Sequence, residues 1–288
     1  MKALTVIGDA EVDMWTLSGF SDEISPDFEE QCAVAARLGL GHIELRSAWE
    51  TNVLDLDDDR LRTVRRTLAE HDLRVSSIGS PIGKIFLDDD VDAHVERMRR
   101  AAHVADYLGA PFIRVFSFFM RPGVDPDTCR DGVVERLRTL VDVVAGSEIV
   151  LVHENEKDIF GDVPRRCLEM VRAVDSPNFA LAWDPANFVQ VGVRPFTEGY
   201  DQLRPYVEYV QIKDAVLGPG TVVKAGEGDG EIAETLRALR EDGFDGFFSL
   251  EPHLAAGHSM GGFSGPELFT EALTAFTDLL EAQEIPYR

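Results

Sequence analysis

The sequence predicts a single (β/α)8 barrel of the α/β class, in which eight parallel strands alternate with helices around one core. Short apolar runs alternate with amphipathic helical stretches along the chain, without a change of composition that would mark a second domain. Four later runs end in polar residues, as buried parallel strands do where they reach the carboxyl end of a barrel. The length of 288 residues suits one barrel, since this fold typically takes about 250 residues.

The first half of the chain holds four predicted strand and helix units, which follow a lead-in over residues 1–14. In each unit, an aliphatic and β-branched run precedes apolar residues spaced three and four apart, the pattern of a helix with one buried face. Ser25 and Pro26 favour a helix start, and Gly109 favours a helix end. We predict strands over 16–20, 42–46, 74–80 and 111–117, and helices over 25–38, 56–71, 90–108 and 127–145.

The second half repeats this arrangement and supplies the polar strand ends. A short apolar run leads into Glu154, and three later runs end in the same way at Asp184, Gln211 and Glu251. Pro164 suits the first turn of a helix, and a glycine-rich loop over 218–230 precedes a further helix. We predict that strands five and seven start at 150 and 207, that strands six and eight end at 184 and 251, and that helices cover 162–174, 232–241 and 266–282.

Charge and cysteine content argue against several classes of protein. The net charge of −24 repels phosphate backbones and anionic membrane surfaces, and the sequence holds no local basic patch that would offset it. No run approaches the roughly 18 to 20 apolar residues of a membrane span, and residues 1–15 do not read as a secretory signal. Cys32, Cys129 and Cys167 are odd in number and far apart, which favours free thiols. We therefore expect a cytoplasmic protein that binds neither nucleic acid nor membranes.

Polar residues at four strand ends predict a site at one rim of the barrel. Glu154, Asp184, Gln211 and Glu251 each stand where an apolar run ends. Carboxylate and amide oxygens around one point suit Mg²⁺, Mn²⁺ or Zn²⁺. Three unpaired carboxylates would repel one another and raise at least one pKa, so a metal ion or a nearby lysine ammonium would relieve them. The alternative is that these acids cap the following helices or pair with lysines.

Several motifs carry a resemblance to a known family from about Ser18 to the C-terminus. They are His153-Glu-Asn-Glu156, Trp183-Asp-Pro-Ala-Asn187, Gln211-Ile-Lys-Asp214 and Ser249-Leu-Glu-Pro-His253, with support from Ile43-Glu-Leu-Arg46 and Ser80-Pro-Ile-Gly-Lys84. In these motifs the chain resembles the xylose isomerase-like TIM barrel superfamily, in its sugar phosphate isomerase/epimerase (AP endonuclease family 2-like) group. Relatives hold one metal ion with Glu, Asp, His and Glu from strands five to eight. The resemblance therefore implies one divalent metal ion (Mn, Mg or Zn) bound by Glu154, Asp184, Gln211 and Glu251.

Position 211 departs from the family, which usually has histidine there. A glutamine carbonyl oxygen is a weaker ligand than imidazole. Three outcomes therefore stay open: weaker metal binding, a preference for a harder metal ion, or no metal ion at all. His253 follows Glu251 by two residues and has the same strand parity, which makes it a replacement ligand or an acid/base candidate. His153 has the opposite parity to Glu154, and we expect it to point outward toward a helix.

The resemblance implies proton transfer next to a carbonyl. A metal ion chelated by a substrate carbonyl and its neighbouring hydroxyl would stabilise an enediolate, while Glu154 and Glu251 take and return a proton. This is the chemistry of a metal-dependent isomerase or epimerase of carbohydrate metabolism, acting on a sugar, a sugar phosphate or a polyol ketone. For Arg114, a structural ion pair with Glu44 or Glu154 is an open alternative. The expected substrate-binding residues are Glu44, Arg46, Lys84, Arg114, Glu156, Lys157, Asn187, Lys213, Asp214 and His253.

Other functions stay open on the same fold. The same enediolate could expel a β-hydroxyl or a carbon-linked group, which would make the protein a dehydratase or a lyase. An endonuclease of this fold would need a histidine cluster, but Asn187 and Gln211 stand at two of those positions. A barrel that lost its metal ion together with the histidine would be a sugar-binding or partner protein. The segment 226–230 resembles a phosphate-binding loop only superficially. A homo-oligomer is compatible with the family, although the sequence identifies no interface.

Overall fold

The computed structural model describes residues 14–255 and 262–288, and its eight parallel strands form a nearly closed barrel. The strands are β1 Thr16–Gly19, β2 His42–Leu45, β3 Arg74–Ile78, β4 Phe112–Val115, β5 Val150–Glu154, β6 Phe179–Trp183, β7 Val207–Ile212 and β8 Phe247–Leu250. They pair in chain order from β2 to β8, and β8 pairs with β1. A bridge between Phe20 and Glu44 then brings the ends of β1 and β2 together. The predicted single (β/α)8 barrel is therefore confirmed. The predicted lead-in lies outside the described residues except for Met14.

Helices cover the outside of the barrel between the strands. They are α1 Phe28–Arg37, α2 Asp58–Glu70, α3 Val91–Leu108, α4 Arg130–Asp142, α5 Pro164–Val174, α6 Pro185–Gln190, α7 Asp201–Leu203, α8 Ile232–Glu241 and α9 Gly265–Ala282. Asp27, Asp57 and Asp90 precede α1, α2 and α3, and each carboxylate accepts an N–H of the first helical turn. Gly109 ends α3 in the left-handed conformation, with φ of 71°. These caps fix where the helices leave the strand ends.

Two helices begin three residues later than the sequence predicts. Helix α1 starts at Phe28 rather than at 25 because Asp27 caps it, while Ser25 Oγ donates to the Glu30 carboxylate at 2.6 Å. Helix α4 starts at Arg130 rather than at 127 because Pro126–Cys129 form a 3-10 turn. Both differences shorten a helix at the end where it follows a barrel loop.

The amino end of the barrel is closed by aromatic side chains. Phe112, Tyr209 and Phe247 pack against one another, with ring centroids 5.6 to 6.1 Å apart. Val152 and Val150 complete this apolar layer. Because this layer is apolar, the polar part of the barrel interior lies toward the carboxyl ends of the strands.

A buried hydrogen-bond network crosses the barrel above the aromatic layer. Glu44 Oε2 accepts from the Tyr209 hydroxyl at 3.0 Å and from Ser249 Oγ at 2.8 Å. The Tyr209 hydroxyl also lies 2.9 Å from Ser76 Oγ, which lies 2.7 Å from Ser18 Oγ. Burial raises the pKa of Glu44 to about 7. The network forms the floor of the charged site described below.

None of the helices in the described ranges is both long and apolar enough to cross a membrane. Cys32 and Cys167 are buried free thiols, and Cys129 is a partly exposed one. Burial raises the pKa of the Cys32 thiol to about 12 and that of Cys167 further, so both are protonated core side chains at neutral pH.

Candidate active site

Three carboxylates converge at the carboxyl ends of β5, β6 and β8. Glu154 is the last residue of β5, and Asp184 and Glu251 directly follow β6 and β8. One oxygen from each of the three lies within 4.8 Å of the others, and all three side chains are buried. Parallel strands of one barrel end at the same rim, so equivalent positions on separate strands meet there. Charge of one sign is thereby concentrated at a single point.

Lys213 lies between two of these carboxylates. Its Nζ atom lies 2.6 Å from Asp184 Oδ2 and 2.7 Å from Glu251 Oε2. Burial alone would lower the pKa of Lys213, but the two carboxylates raise it well above its usual value. For the acid Glu251, burial alone would raise the pKa, but the Lys213 ammonium holds that pKa well below its usual value. Burial raises the pKa of Asp184 to about 7 against the opposing effect of Lys213. Lys213 therefore supplies a buried positive charge at the rim.

Glu154 is held by three donors, which come from β4, β7 and helix α6. Arg114 Nη1 lies 3.0 Å from Glu154 Oε2, and Gln211 Nε2 donates to the same oxygen at 3.1 Å. Asn187 Nδ2 donates to the other oxygen, Oε1, at 3.0 Å. Arg114 Nη1 also lies 3.6 Å from Glu251 Oε1, so it bridges two of the converging acids. These contacts fix the direction in which Glu154 faces the barrel axis.

A second group of polar residues lies beside Glu251 at the end of β1. Asp22 accepts from Arg46 Nε at 2.8 Å, and Arg46 Nη1 lies 3.5 Å from Glu251 Oε1. Glu23 is fully buried and lies 3.3 Å from His253 Nε2 through its Oε1 atom. Burial raises the pKa of Glu23 to about 6. The sequence interpretation did not assign Asp22 and Glu23 to the site, although the polar triplet after β1 is the signal that identified the other strand ends.

The remaining expected substrate contacts lie at different distances from this cluster. Lys84 Nζ lies 3.3 Å from Glu156 Oε2 and 4.2 Å from the centre of the Phe116 ring, near the mouth of the barrel. Lys157 lines an open cavity of about 840 Å³, and none of the converging acids is among the residues that line it. His153 is buried against Gly161, away from the converging acids, and burial lowers its pKa to about 3. The contacts of Lys84 and the cavity lined by Lys157 thus do not include the converging acids.

Asp214 binds backbone of its own loop. Its carboxylate accepts the N–H groups of Ala215, Gly226, Gly228 and Gly230 at 2.8 to 3.1 Å. A Cβ at Gly228 would lie 2.5 Å from the Ala215 carbonyl oxygen, so the loop needs glycine there. Because Asp214 takes these amides, they are not free to bind a phosphate. The structure thus places Asp214 in the scaffold of the rim loop.

The donor set fits a divalent metal ion. Gln211 Oε1 is buried without a hydrogen-bond partner among the described residues, so an amide oxygen is free beside the three carboxylates. Apart from Asp214, which binds loop amides, the described part of the chain places six buried acids and three buried cations around the site, and a divalent ion would offset part of that excess. The ion would be held by Glu154, Asp184, Gln211 and Glu251. The acids are Asp22, Glu23, Glu44, Glu154, Asp184 and Glu251, and the cations are Arg46, Arg114 and Lys213.

A family model described as a xylose isomerase-like TIM barrel matches residues 32–277. The chain is 31% identical over 144 residues to 2-epi-5-epi-valiolone 7-phosphate 2-epimerase of an Actinoplanes species, which covers 50% of this chain and 51% of the relative. It is 24% identical over 179 residues to 3-dehydroshikimate dehydratase of Bacillus anthracis, which covers 61% of this chain and 62% of the relative. The matches thus span less than two thirds of either relative.

Solved structures share the fold at low sequence identity. A D-tagatose 3-epimerase-like protein superposes with a TM-score of 0.76 at 17% identity, over 93% of this chain and 97% of that chain. A xylose isomerase-like barrel from Mycobacterium smegmatis, in complex with magnesium, superposes with a TM-score of 0.68 at 21% identity, over 93% and 97% of the two chains. Solved structures described as a D-tagatose 3-epimerase-like protein and as a probable dehydratase therefore share this architecture.

Proposed function

The chain belongs to the xylose isomerase-like TIM barrel family, and we propose that it is an isomerase or epimerase that moves a proton at a carbon next to a carbonyl. The substrate class is a small sugar, sugar phosphate or polyol ketone. The similarity to an epimerase over half of the chain supports this assignment. Glu154 and Glu251 are the acid and base of the proposal, and Lys213 and Arg114 are its positive charges.

The observation that carries the proposal is the pair of buried carboxylates on either side of Arg114. Its Nη1 atom lies 3.0 Å from Glu154 Oε2 and 3.6 Å from Glu251 Oε1. Two carboxylates that approach a carbon from different strands can remove a proton on one side and return one on the other. Inversion at a carbon next to a carbonyl requires proton removal on one face and proton delivery on the opposite face.

The two carboxylates have different environments, which supports different roles. Glu154 accepts from Gln211 and Asn187 and pairs with Arg114, so its oxygens are fixed in direction. Glu251 pairs with the Lys213 ammonium, whose charge would oppose the negative charge that develops on a substrate oxygen. A divalent metal ion bound by Glu154, Asp184, Gln211 and Glu251 would supply Lewis acidity at the substrate carbonyl. The low exposure of these residues strengthens each electrostatic contact.

A dehydratase is the second candidate function. Removal of the same proton would expel a hydroxyl group at the next carbon if the substrate carries one there. The similarity to 3-dehydroshikimate dehydratase, which covers 61% of this chain, favours this candidate over a lyase. The two candidates differ in product, because a dehydratase forms a conjugated enone and an epimerase does not.

Deuterium exchange tests the proposal. The protein is incubated in D₂O with Mn²⁺ or Mg²⁺ and a panel of ketoses, ketose phosphates and cyclic polyol ketones, and NMR follows the carbon-bound hydrogens. We expect exchange next to the carbonyl of one class of compound. New ultraviolet absorption without a recovered isomer would identify the dehydratase.

A matched pair of variants links any exchange to the site. Glu154→Gln removes one of the two acid/base groups and keeps one oxygen that can accept from Arg114 and Gln211, so exchange should fall by about 10²-fold or more. Glu135→Gln changes an exposed acid on α4 and should leave exchange unchanged. Absence of exchange with every compound would overturn the proposal and favour a sugar-binding or partner protein.

A further inference from the structure

Glu23, Glu251 and His253 form a second cluster beside the converging acids. One ligand atom from each lies within 4.8 Å of the other two. We propose that these three residues bind a divalent metal ion of the zinc type, at a site that is separate from the one formed by Glu154 and Asp184. The proposal concerns binding alone, so it does not depend on the reaction that the barrel catalyses.

The distances within the cluster suit metal ligands better than hydrogen bonds. His253 Nε2 lies 3.3 Å from Glu23 Oε1 and 3.4 Å from Glu251 Oε1. Hydrogen bonds of the N–H···O type are typically about 2.7 to 3.2 Å long. Ligand atoms around a tetrahedral zinc ion, at bond lengths of about 2.0 to 2.2 Å, are about 3.3 to 3.6 Å from one another. The two separations from His253 Nε2 fall in that interval.

Two atoms of the cluster are buried and lack a hydrogen-bond partner within residues 14–255 and 262–288. They are Glu23 Oε1 and His253 Nε2, and they face one another. The Glu23 side chain is fully buried, and such a carboxylate oxygen is costly to leave unpaired. A cation between the two atoms would satisfy both at once.

The backbone holds both ligands in place before any ion binds. Glu23 Oε2 accepts from the His253 N–H at 2.8 Å and from Ser264 Oγ at 2.9 Å, which leaves Oε1 directed at the imidazole ring. His253 has a left-handed backbone with φ of 48°, a conformation that costs energy for residues other than glycine. A Cβ at Gly262 would lie 1.6 Å from His253 Cδ2, so glycine makes room for the ring there.

The surrounding charges leave room for a cation. Arg46 is bound to Asp22 through Nε at 2.8 Å and to the Gly262 carbonyl through Nη2 at 3.1 Å. Glu251 Oε1 has two long contacts with guanidinium groups, at 3.5 Å from Arg46 Nη1 and 3.6 Å from Arg114 Nη1. Two carboxylates and one imidazole match the charge and ligand preferences of Zn²⁺. The His253 side chain is 27% exposed, which gives an ion a path from solvent.

Glu251 would contribute one oxygen to each site. Its Oε2 atom faces Lys213 at 2.7 Å, on the side of Asp184, whereas its Oε1 atom faces His253 at 3.4 Å. The histidine that the family usually supplies from strand seven is absent at Gln211. An imidazole at position 253 supplies a nitrogen ligand from the opposite side of Glu251.

Calorimetric titration of the full-length, metal-stripped protein with Zn²⁺ tests the site. His253→Asn removes the imidazole and keeps a residue that tolerates the left-handed backbone. We expect this variant to lose one equivalent of Zn²⁺ or to bind it at least tenfold more weakly. His103→Asn, on the exposed face of α3, is the matched control and should bind as the wild type does. Asp184→Asn should leave the His253-dependent equivalent in place.

Two further measurements secure the result. Glu23→Gln keeps an oxygen for the His253 N–H and Ser264 Oγ but loses the anionic ligand, so it should weaken Zn²⁺ binding even if His253→Asn fails to fold. Co²⁺ should give visible absorption with the wild type that His253→Asn lacks. Equal Zn²⁺ binding by the wild type and both variants would overturn the site, and so would no binding at all. The cluster would then consist of contacts between the imidazole and the two carboxylates, without a metal ion.

Discussion

The Nζ atom of Lys213 lies 2.6 Å from Oδ2 of Asp184, with both side chains buried at the carboxyl end of the barrel. The same ammonium lies 2.7 Å from Glu251 Oε2. A positive charge of the protein thus stands between two carboxylates that a divalent ion would also contact. Lys213 and a metal ion therefore compete for the same pair of oxygens.

Lys213→Met should lower the stability of the metal-free protein, because it leaves two buried carboxylates without their partner. Loss of one member of a buried ion pair costs about 3 to 5 kcal/mol. Mn²⁺ should restore much of that loss and bind more tightly than to the wild type, since the competing ammonium is gone. Urea unfolding with and without Mn²⁺ measures both effects. Lys224→Met, at a partly exposed lysine, is the control. A loss of stability that Mn²⁺ does not reduce would contradict the competition.

Glu154→Gln and Glu251→Gln should each reduce turnover by about 10²-fold or more while the protein stays folded, since general acid–base groups typically contribute 10²- to 10⁴-fold. The rate of deuterium exchange into the substrate measures the effect, and circular dichroism checks the fold. Glu135→Gln should retain the wild-type rate. A double variant with undiminished exchange would remove both residues from the acid and base roles.

Gln211→His should tighten the binding of Mn²⁺ or Zn²⁺, because imidazole is a stronger ligand than an amide oxygen. We expect a gain of about tenfold, measured by calorimetry on the metal-stripped protein. The variant also removes the hydrogen bond that Gln211 Nε2 donates to Glu154 Oε2 at 3.1 Å, which leaves that oxygen more available to an ion. An unchanged affinity would mean that position 211 is not a ligand position in this chain.

Glu44 should make the wild type less stable as the pH rises. Burial raises the pKa of Glu44 from 4.5 to about 7, so folding favours its protonated form. The stability that this form contributes is complete below pH about 4.5 and is lost as the pH rises through about 7. Glu44→Gln should therefore be more stable than the wild type at pH 8 by a few kcal/mol, with little difference at pH 4.5.

Urea unfolding of both proteins at several pH values measures this difference. Glu23 and Asp184 also have raised pKa values, but they are present in both proteins and cancel in the comparison. A stability difference that stays constant from pH 4.5 to pH 8 would show that Glu44 does not titrate in this range.

The sequence is sufficient to predict the barrel and the three converging acids. Hydrophobic periods identify strands and helices, and the order of strand ends then follows from the parallel topology. Glu154, Asp184 and Glu251 are predictable because each directly ends a buried run. Strand parity also separates His153 from Glu154, and the structure buries His153 apart from the converging acids.

Contacts between distant loops could not be predicted in the same way. Glu23 and His253 are 230 residues apart, and they meet only because β8 pairs with β1 and closes the barrel. The role of Asp214 depends on a loop that returns 12 to 16 residues later, which no periodic pattern records. In both cases the path of a loop determines which residues the carboxylate contacts, and the sequence pattern does not predict that path.

The single carboxylate of Asp214 has a practical consequence for redesign of this protein. Because it anchors Gly226, Gly228 and Gly230, the residues between 216 and 225 are attached at both ends to a fixed base. Libraries confined to the exposed residues 217–219 should keep the rim intact, because Val222–Val223 pair with Asp214–Ala215 and Ala225 is buried. Redesign can therefore exchange these exposed loop residues, provided that the aspartate and the three glycines are retained.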